Sequence, residues 1–324
     1  MKISLTKHGL LLEHNNLKIA LDPSKSIDAD LTFISHAHSD HMHMPTKNSK
    51  IIASKETVAL AKKRGYDIEC YEEFDGIKLI DSGHVLGSKS LLIDGILYTS
   101  DICIRDRAFL KGAKIPRCDT LIIETTYGKE GFNFPSIDKV CDMANNIISK
   151  LYSHGVPVIL LGYPLGKAQI LTSLFKHWKP IYLYDTVYEI NKVYRELGID
   201  LIDALPYSFA EEEGLLKKKP WVMIAPMQST RSKFIKDMKS RYSAITIAFT
   251  GWAINNRYSM HDYTLPLSDH CDFNELLQVV KDAEPKKIYT IHGYVKEFAS
   301  YLNRLGYNAE PLFKGNMKLT DFTT

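Results

Sequence analysis

The stretch that decides the fold is Ser35-His36-Ala37-His38-Ser39-Asp40-His41, which follows the apolar run Leu31 to Ile34. Four metal-ligand types fall within six positions. In an extended or turning backbone alternate side chains share a side, so His36 and His38 can reach one ion while Asp40 and His41 turn toward a neighbouring one. Imidazole nitrogens and carboxylate oxygens are suitable zinc donors. His43, just beyond, matches no ligand position and reads as a surface or supporting residue. The run before the motif reads as a buried strand, which makes a merely hydrogen-bonded polar loop the weaker alternative.

Working outward, short strands are expected at Ile3 to Leu5, Leu10 to Leu12 and Leu17 to Leu21. A helix is expected over Lys55 to Lys63 behind a Ser54 cap. Asp94-Gly95 reads as a hairpin turn between apolar runs, and Thr120 to Ile123 as another strand. After about residue 130 the pattern changes. Ser136 can cap a helix with Ile137, Val140, Cys141, Ala144, Ile147, Ile148 and Leu151 on one face. Strand candidates at Val156 to Leu161, Ile181 to Tyr184, Trp221 to Ala225 and Ile245 to Phe249 then alternate with helical stretches, which implies a parallel α/β unit. The tail reads as helix Asn274 to Asp282, strand Lys287 to Ile291, helix Val295 to Leu305 and strand Asn308 to Leu312.

Bulk properties set the frame. The 324 residues carry 41 basic and 38 acidic side chains, a formal charge of +3 that permits a polyanionic partner without demanding one. Five cysteines with no CxxC spacing argue against a disulfide framework or a cysteine zinc site. No run of about 18 apolar residues and no signal-peptide pattern is seen, so a cytoplasmic protein with no membrane partner is expected.

Further ligand candidates are scattered: His84 in Ser82-Gly83-His84, Asp101 at the end of an apolar strand, and His292 at another strand end. Their order and setting resemble the metallo-β-lactamase superfamily. That resemblance implies that His36, His38 and His84 hold one zinc, that Asp40, His41 and His292 hold a second, and that Asp101 bridges them. Asp22 matches the family's early aspartate, which supports the ligand loop. Two zincs about 3.5–4 Å apart would lower the pKa of a shared water, with Asp40 central to the chemistry. Manganese is an alternative, because these donors accept several ions.

Two more segments, Glu124-Thr125-Thr126-Tyr127-Gly128 and Leu267-Ser268-Asp269-His270, flank the α/β stretch. The layout resembles the β-CASP nucleases over essentially the whole chain. It implies a metallo-β-lactamase αββα sandwich (1–130 and 256–324) interrupted by an α/β cap (131–255). In that family's terms Glu124 and His270 are catalytic. Glu124 would hold His270 protonated, and His270 would stabilise the scissile phosphate or protonate the leaving oxygen.

Gly162-Tyr163-Pro164-Leu165-Gly166-Lys167-Ala168-Gln169 lacks the Walker A spacing but resembles the G-[KR]-x-Q element of β-CASP caps. That places Gly166, Lys167 and Gln169 against substrate phosphate. Ser229 and Arg231 could contact phosphate too, or Ser229-Thr230-Arg231-Ser232 could simply cap a helix. The expected activity is a two-zinc exonuclease on DNA of the ligase-associated, repair type, acting on single-stranded ends. An RNA-processing nuclease, a small-molecule hydrolase such as a thioesterase or lactamase, and a ligand-free scaffold are the alternatives. The complete ligand set speaks against the scaffold. A homodimer and repair or RNA-processing partners are compatible with the sequence.

Overall fold

The computed structural model describes residues 2–43, 50–71, 74–255 and 260–312. The chain forms two compact units. One comprises Met1–Arg105, Lys111–Gly131 and His270–Thr324, and the other Asp106–Leu110 and Phe132–Asp269.

In the first unit, β1 (Lys2–Thr6), β2 (Gly9–His14), β3 (Leu17–Leu21), β4 (Leu31–Phe33), β5 (Lys50–Ile52) and β6 (Cys70–Tyr71) form one sheet in sequence order. Helix α1 (Lys55–Lys63) lies between the last two in sequence, and Ser54 caps it by accepting from the Thr57 amide. The second sheet takes β7 (Ile77–Asp81), β8 (Lys89–Ile93), β9 (Ile96–Tyr98) and β10 (Thr120–Thr125). Asp94 and Gly95 turn the β8–β9 hairpin at φ 44° and 75°, as an Asp-Gly pair does in a type I′ turn.

Strand alternation sets the layers. Leu10, Leu12, Ile19, Leu31 and Phe33 of the first sheet meet Leu91, Ile93, Tyr98 and Ile122 of the second in one core. Ala20, Thr32 and Ile51 face the other way and are buried too, as are Leu60 and Ala61 of α1. On the second sheet's other face, Leu97, Leu121 and Ile123 pack against the two C-terminal helices.

The second unit begins with α2 (Ile137–Tyr152), capped by Ser136. It continues through β11 (Val158–Gly162), α3 (Lys167–Leu174), β12 (Ile181–Leu183), α4 (Asp185–Glu196), β13 (Leu205–Pro206), α5 (Tyr207–Glu212), β14 (Val222–Pro226), α6 (Lys233–Tyr242), β15 (Ile245–Phe249) and β16 (Tyr263–Leu265). All its strand pairs are parallel, in the order β13-β12-β14-β11-β15-β16. Val158 and Leu160 of β11 pack with α2, α3 and α4 on one face. Ile159 and Leu161 pack with α5 and α6 on the other. Burial on both faces explains why these strands read as unbroken apolar runs. Pairing of β16 with β15 carries this unit to Asp269, past the expected boundary at 255, which adjoins residues outside those described.

The chain then returns to the first unit. Helix α7 (Phe273–Ala283), β17 (Lys287–Gly293), α8 (Val295–Arg304) and β18 (Ala309–Pro311) complete its second sheet as β18-β17-β10-β9-β8-β7. Asp272 and Glu275 form a reciprocal capping box at the start of α7. Among the described residues no helix is long and apolar enough to cross a membrane.

Candidate metal centre

The ligand candidates sit in loops that leave the ends of the first unit's strands. His36, His38, Asp40 and His41 follow β4, His84 follows β7, Asp101 follows β9, and Glu124 and His292 lie near the ends of β10 and β17. Gly83 shapes one of these loops at φ 70°. A Cβ there would lie 2.3 Å from the Cys103 carbonyl oxygen, so only glycine lets the chain carry His84 into the cluster.

Asp101 Oδ2 is the focus. It lies 3.6 Å from His36 Nε2, 3.4 Å from His41 Nε2, 3.5 Å from His84 Nε2 and 4.0 Å from His270 Nε2. The ligand atoms of His36, His38, His84 and Asp101 all lie within 4.8 Å of one another. His36 Nε2 is 3.1 Å from His38 Nδ1, which in turn is 3.3 Å from His84 Nε2. Burial and the neighbouring imidazoles push the His36 pKa well down, so its ring is held neutral. Three imidazoles and a carboxylate whose ligand atoms converge in this way are the donor set that a zinc-type cation takes, so these residues fit a metal cofactor.

The other expected ligands stand around this focus. His41 is buried between Asp101 and Asp22. Burial opposes its charge, but those two carboxylates and Asp40 outweigh it and raise its pKa to about 10. Asp40 Oδ2 lies 3.8 Å from His41 Nε2, with its side chain 80% exposed. His292 is exposed, and its ring centroid is 6.0 Å from that of His41. The structure therefore gathers four of the seven expected ligands tightly, keeps His41 against Asp101, and places Asp40 and His292 at the cluster's open side.

Asp22 anchors the loop from behind. Its Oδ1 accepts from the Ser35 amide, and its Oδ2 accepts from the hydroxyls of Ser35, Tyr98 and Ser100 at 2.7, 2.8 and 2.9 Å. His41 Nδ1 is 3.1 Å from the same Oδ2. Burial favours the neutral acid, yet His41 and these donors hold the Asp22 carboxyl below its usual range. Tyr98 and Ser100 were not legible as partners, since they lie 76 and 78 residues away in the chain. Asp22, Ser100 and His292 all have left-handed backbones, with φ of 44°, 51° and 55°.

Beside the focus lies an acid–imidazole pair. His270 Nδ1 is 2.8 Å from Glu124 Oε1. Glu124 is buried and also accepts from the Ile102 and Thr126 amides at 3.1 and 3.0 Å. Burial pushes its pKa up, but His270 and these donors overcome that and bring it down to about 2. The His270 ring stands 4.5 Å from that of His84, and the Arg105 guanidinium donates to the His270 carbonyl at 2.8 Å. Sequence reasoning gave Arg105 no role. His43 is buried, not on the surface.

The phosphate-facing expectation is corrected at three positions in the second unit. Lys167 is buried, and its ammonium donates to the Leu267 carbonyl and to Asp269. Gln169 is buried as well. It accepts from the Gly166 amide at 2.7 Å and donates to Pro164 and Asn191. The Gly166 N–H, expected to meet phosphate, is thereby spent on Gln169. The physical reason is long-range: the first turn of helix α3 faces the unit's interior, where Leu267, Asp269 and Asn191 partner its side chains. Ser229 and Arg231 are exposed, with the Arg231 amide donating to Ser229 Oγ at 3.2 Å. Ser232, not Ser229, caps α6.

Comparison with known proteins agrees with this geometry. Residues 259–310 match the Zn-dependent metallo-hydrolase RNA specificity domain. The chain is 32% identical over 307 residues to the "Probable DNA ligase" of Opitutus terrae, spanning 88% of this chain and 29% of that protein. It is 29% identical over 352 residues to an RNase J-like protein of Methanocaldococcus jannaschii, spanning 83% of this chain and 82% of that one. The crystal structure of a protein of unknown function from Enterococcus faecalis V583 has a TM-score of 0.64 at 13% identity, covering 98% of this chain and 97% of that one. This chain thus spans less than a third of the ligase it matches. The paired sheets and the His/Asp focus are those of a metallo-hydrolase of the metallo-β-lactamase fold. Within that superfamily the relatives it is similar to are nucleases of the β-CASP type.

Proposed function

We propose that the chain hydrolyses phosphodiester bonds in nucleic acid with two zinc ions, and that it acts as an exonuclease on single-stranded DNA ends. The observation that carries this reading is the Glu124–His270 pair, joined at 2.8 Å, with His270 Nε2 turned to within 4.0 Å of Asp101 Oδ2. A lactamase or thioesterase has no need of a second, carboxylate-held imidazole beside the metal donors. Phosphodiester cleavage does, because charge builds on the phosphoryl and leaving oxygens.

His36, His38 and His84 would hold one zinc and Asp40, His41 and His292 the other, with Asp101 between them. Bound there, the ions would lower the pKa of an attacking water and offset charge on the phosphate. Asp22, through Ser35 and His41, fixes the ligand loop. Glu124 keeps His270 Nδ1 protonated, so that Nε2 can present a proton toward the leaving oxygen. Exposed Ser229 and Arg231 follow the carboxyl end of β14. Neighbouring β11 and β14 lead to helices on opposite faces of their sheet. Such a switch point is where α/β sheets take ligands, so these two residues are the proposed phosphate contacts.

DNA is favoured by the likeness to the probable ligase. The match to an RNA specificity domain at 259–310 favours a second reading, an RNA-processing nuclease. The test is a degradation time course on DNA and RNA single strands of one sequence, with and without a 5′-phosphate, in zinc or manganese, with Asp40→Ala as control. Faster loss of DNA is expected, and the dependence on the 5′ end gives polarity. Faster loss of RNA supports the second reading, and loss of neither refutes both.

A further inference from the structure

Lys167, Arg107 and Asp269 form a buried charged group in the second unit, 2%, 1% and 5% exposed. The Lys167 ammonium donates to Asp269 Oδ1 at 2.9 Å and to the Leu267 carbonyl at 2.8 Å. Arg107 Nη1 reaches the same Oδ1 at 3.3 Å and the Ser268 carbonyl at 3.5 Å. Two buried cations therefore grip three consecutive residues, 267 to 269. The lysine's path is cleared by Gly162, where a Cβ would stand 2.5 Å from Lys167 Cγ.

Burying such charges is costly, and an apolar trio of the same volume would stabilise the unit as well or better. Stability alone does not account for the group. What it does supply is a fixed backbone at 267–269, and the next residue is His270. From there the chain is held again, by Arg105 on the His270 carbonyl and by the Cys271 amide on the Ile102 carbonyl at 2.8 Å.

We propose that Lys167 and Arg107, acting through Asp269, fix the peptide that delivers His270 to Glu124, and are positioning residues for the nuclease reaction. This inference rests on the function proposed above. It gives the lysine of the Gly-Lys-x-Gln element a role in turnover rather than in gripping phosphate. A side chain of about an ångström's misplacement can cost on the order of a hundredfold in rate, so the imidazole's approach is worth fixing from both sides of the peptide.

The test uses the metal-loaded full chain and a 5′-phosphorylated single-stranded DNA oligonucleotide. Lys167→Met, similar in length and uncharged, is expected to lower kcat by about tenfold to a hundredfold, with KM and its salt dependence unchanged. In a His270→Ala background the same substitution is expected to cost nothing further, because residues that act as a unit are not additive. A raised KM with a flatter salt dependence, or an equal loss without His270, overturns the proposal. Imidazole 15N spectra give a readout that needs no activity: the His270 ring signals should move in Lys167→Met. Unmoved signals in a folded variant overturn the proposal, whatever the substrate. If Lys167→Met does not fold, Lys167→Met/Asp269→Asn removes both charges and takes its place under the same expectations. Should the wild type cut neither DNA nor RNA, the proposed function fails while the spectra still decide the positioning role.

Discussion

Replacing Glu124 by glutamine removes a buried negative charge while keeping the side chain's size. Glu124 Oε1 faces His270 Nδ1 and the Ile102 amide, and Oε2 faces the Thr126 amide. All three partners donate. A glutamine offers one oxygen and one NH2 group, so one of these sites becomes donor against donor. The carboxyl stands at about 2 instead of 4.5. At about 1.4 kcal/mol per pH unit that difference corresponds to about 3 kcal/mol of folding free energy, supplied by His270 first and by the Thr126 and Ile102 amides with it. The sign follows from the depressed pKa. The stabilisation is full above the unfolded-state value near 4.5 and is lost as pH falls toward 2. Wild type and Glu124→Gln, both stripped of metal by chelation, should therefore differ by about 3 kcal/mol at pH 7, with the gap narrowing below pH 4.5. The three tryptophans, Trp178, Trp221 and Trp252, all lie in the second unit, so their fluorescence does not report on this site. Urea dependence of hydrogen exchange at the β10 amides does, and it avoids assuming one transition for two units. A difference under about 1 kcal/mol, or one that persists unchanged at pH 3, would refute the low pKa that His270 and the two amides give Glu124. With metal restored, turnover should fall by about a hundredfold or more, the usual worth of a general acid.

Asp40→Ala should lower turnover by at least about a hundredfold with the fold intact, and unchanged turnover would end the two-metal reading. Asp22→Asn should weaken metal binding by about 10- to 100-fold, because five groups converge on that carboxylate; titration against a chelator of known affinity measures it. Gly293→Ala should destabilise the first unit by about 3 kcal/mol through overpacking and strain. Its φ is +67°, and a Cβ would meet the Thr125 carbonyl oxygen at 2.4 Å and Thr126 Cα at 2.5 Å. A midpoint unchanged in urea would show that the β17 turn yields instead.

Much of the candidate site could be read from the sequence because its candidate donors come from short segments at strand ends. H-x-H-x-D-H after an apolar run needs no knowledge of long-range contacts, and the flanking glycines mark the His84 and His292 loops. The capped helices at Ser54 and Ser136 and the Asp94-Gly95 turn were legible for the same reason: one or two neighbouring residues determine each. Direction was not legible. Gly166-Lys167-x-Gln169 looks alike whether its side chains face solvent or the interior, and the choice is made by Asn191, Leu267 and Asp269, up to 102 residues away. The cluster around Asp22 was hidden likewise, since Tyr98 at the end of an apolar strand reads as core, and it is core apart from its hydroxyl.

Where backbone strain sits adds a last step. Asp22, Ser100 and His292 occupy the left-handed region, which costs a non-glycine residue about 1–3 kcal/mol in such settings. All three lie where a loop leaves a strand, and two of them meet in one hydrogen bond, Ser100 Oγ to Asp22 Oδ2. Strain is sustained only where the surroundings over-determine the conformation, and here they do. Asp22 accepts four hydrogen bonds, and both sheets behind it are closed over the shared core of Leu21, Phe33, Tyr98 and Ile291. Asp22, which holds Ser35 beside His36, Ser100 beside Asp101, and His292 itself are thus kept in conformations the chain would not choose locally. Relaxing the first unit's core should loosen the donor cluster before it unfolds the sheets. A Phe33→Ala cavity, worth about 3–5 kcal/mol in stability, should therefore weaken metal binding while the far-UV spectrum stays native. Equal metal affinity in that variant would mean that the loops hold their geometry without the core.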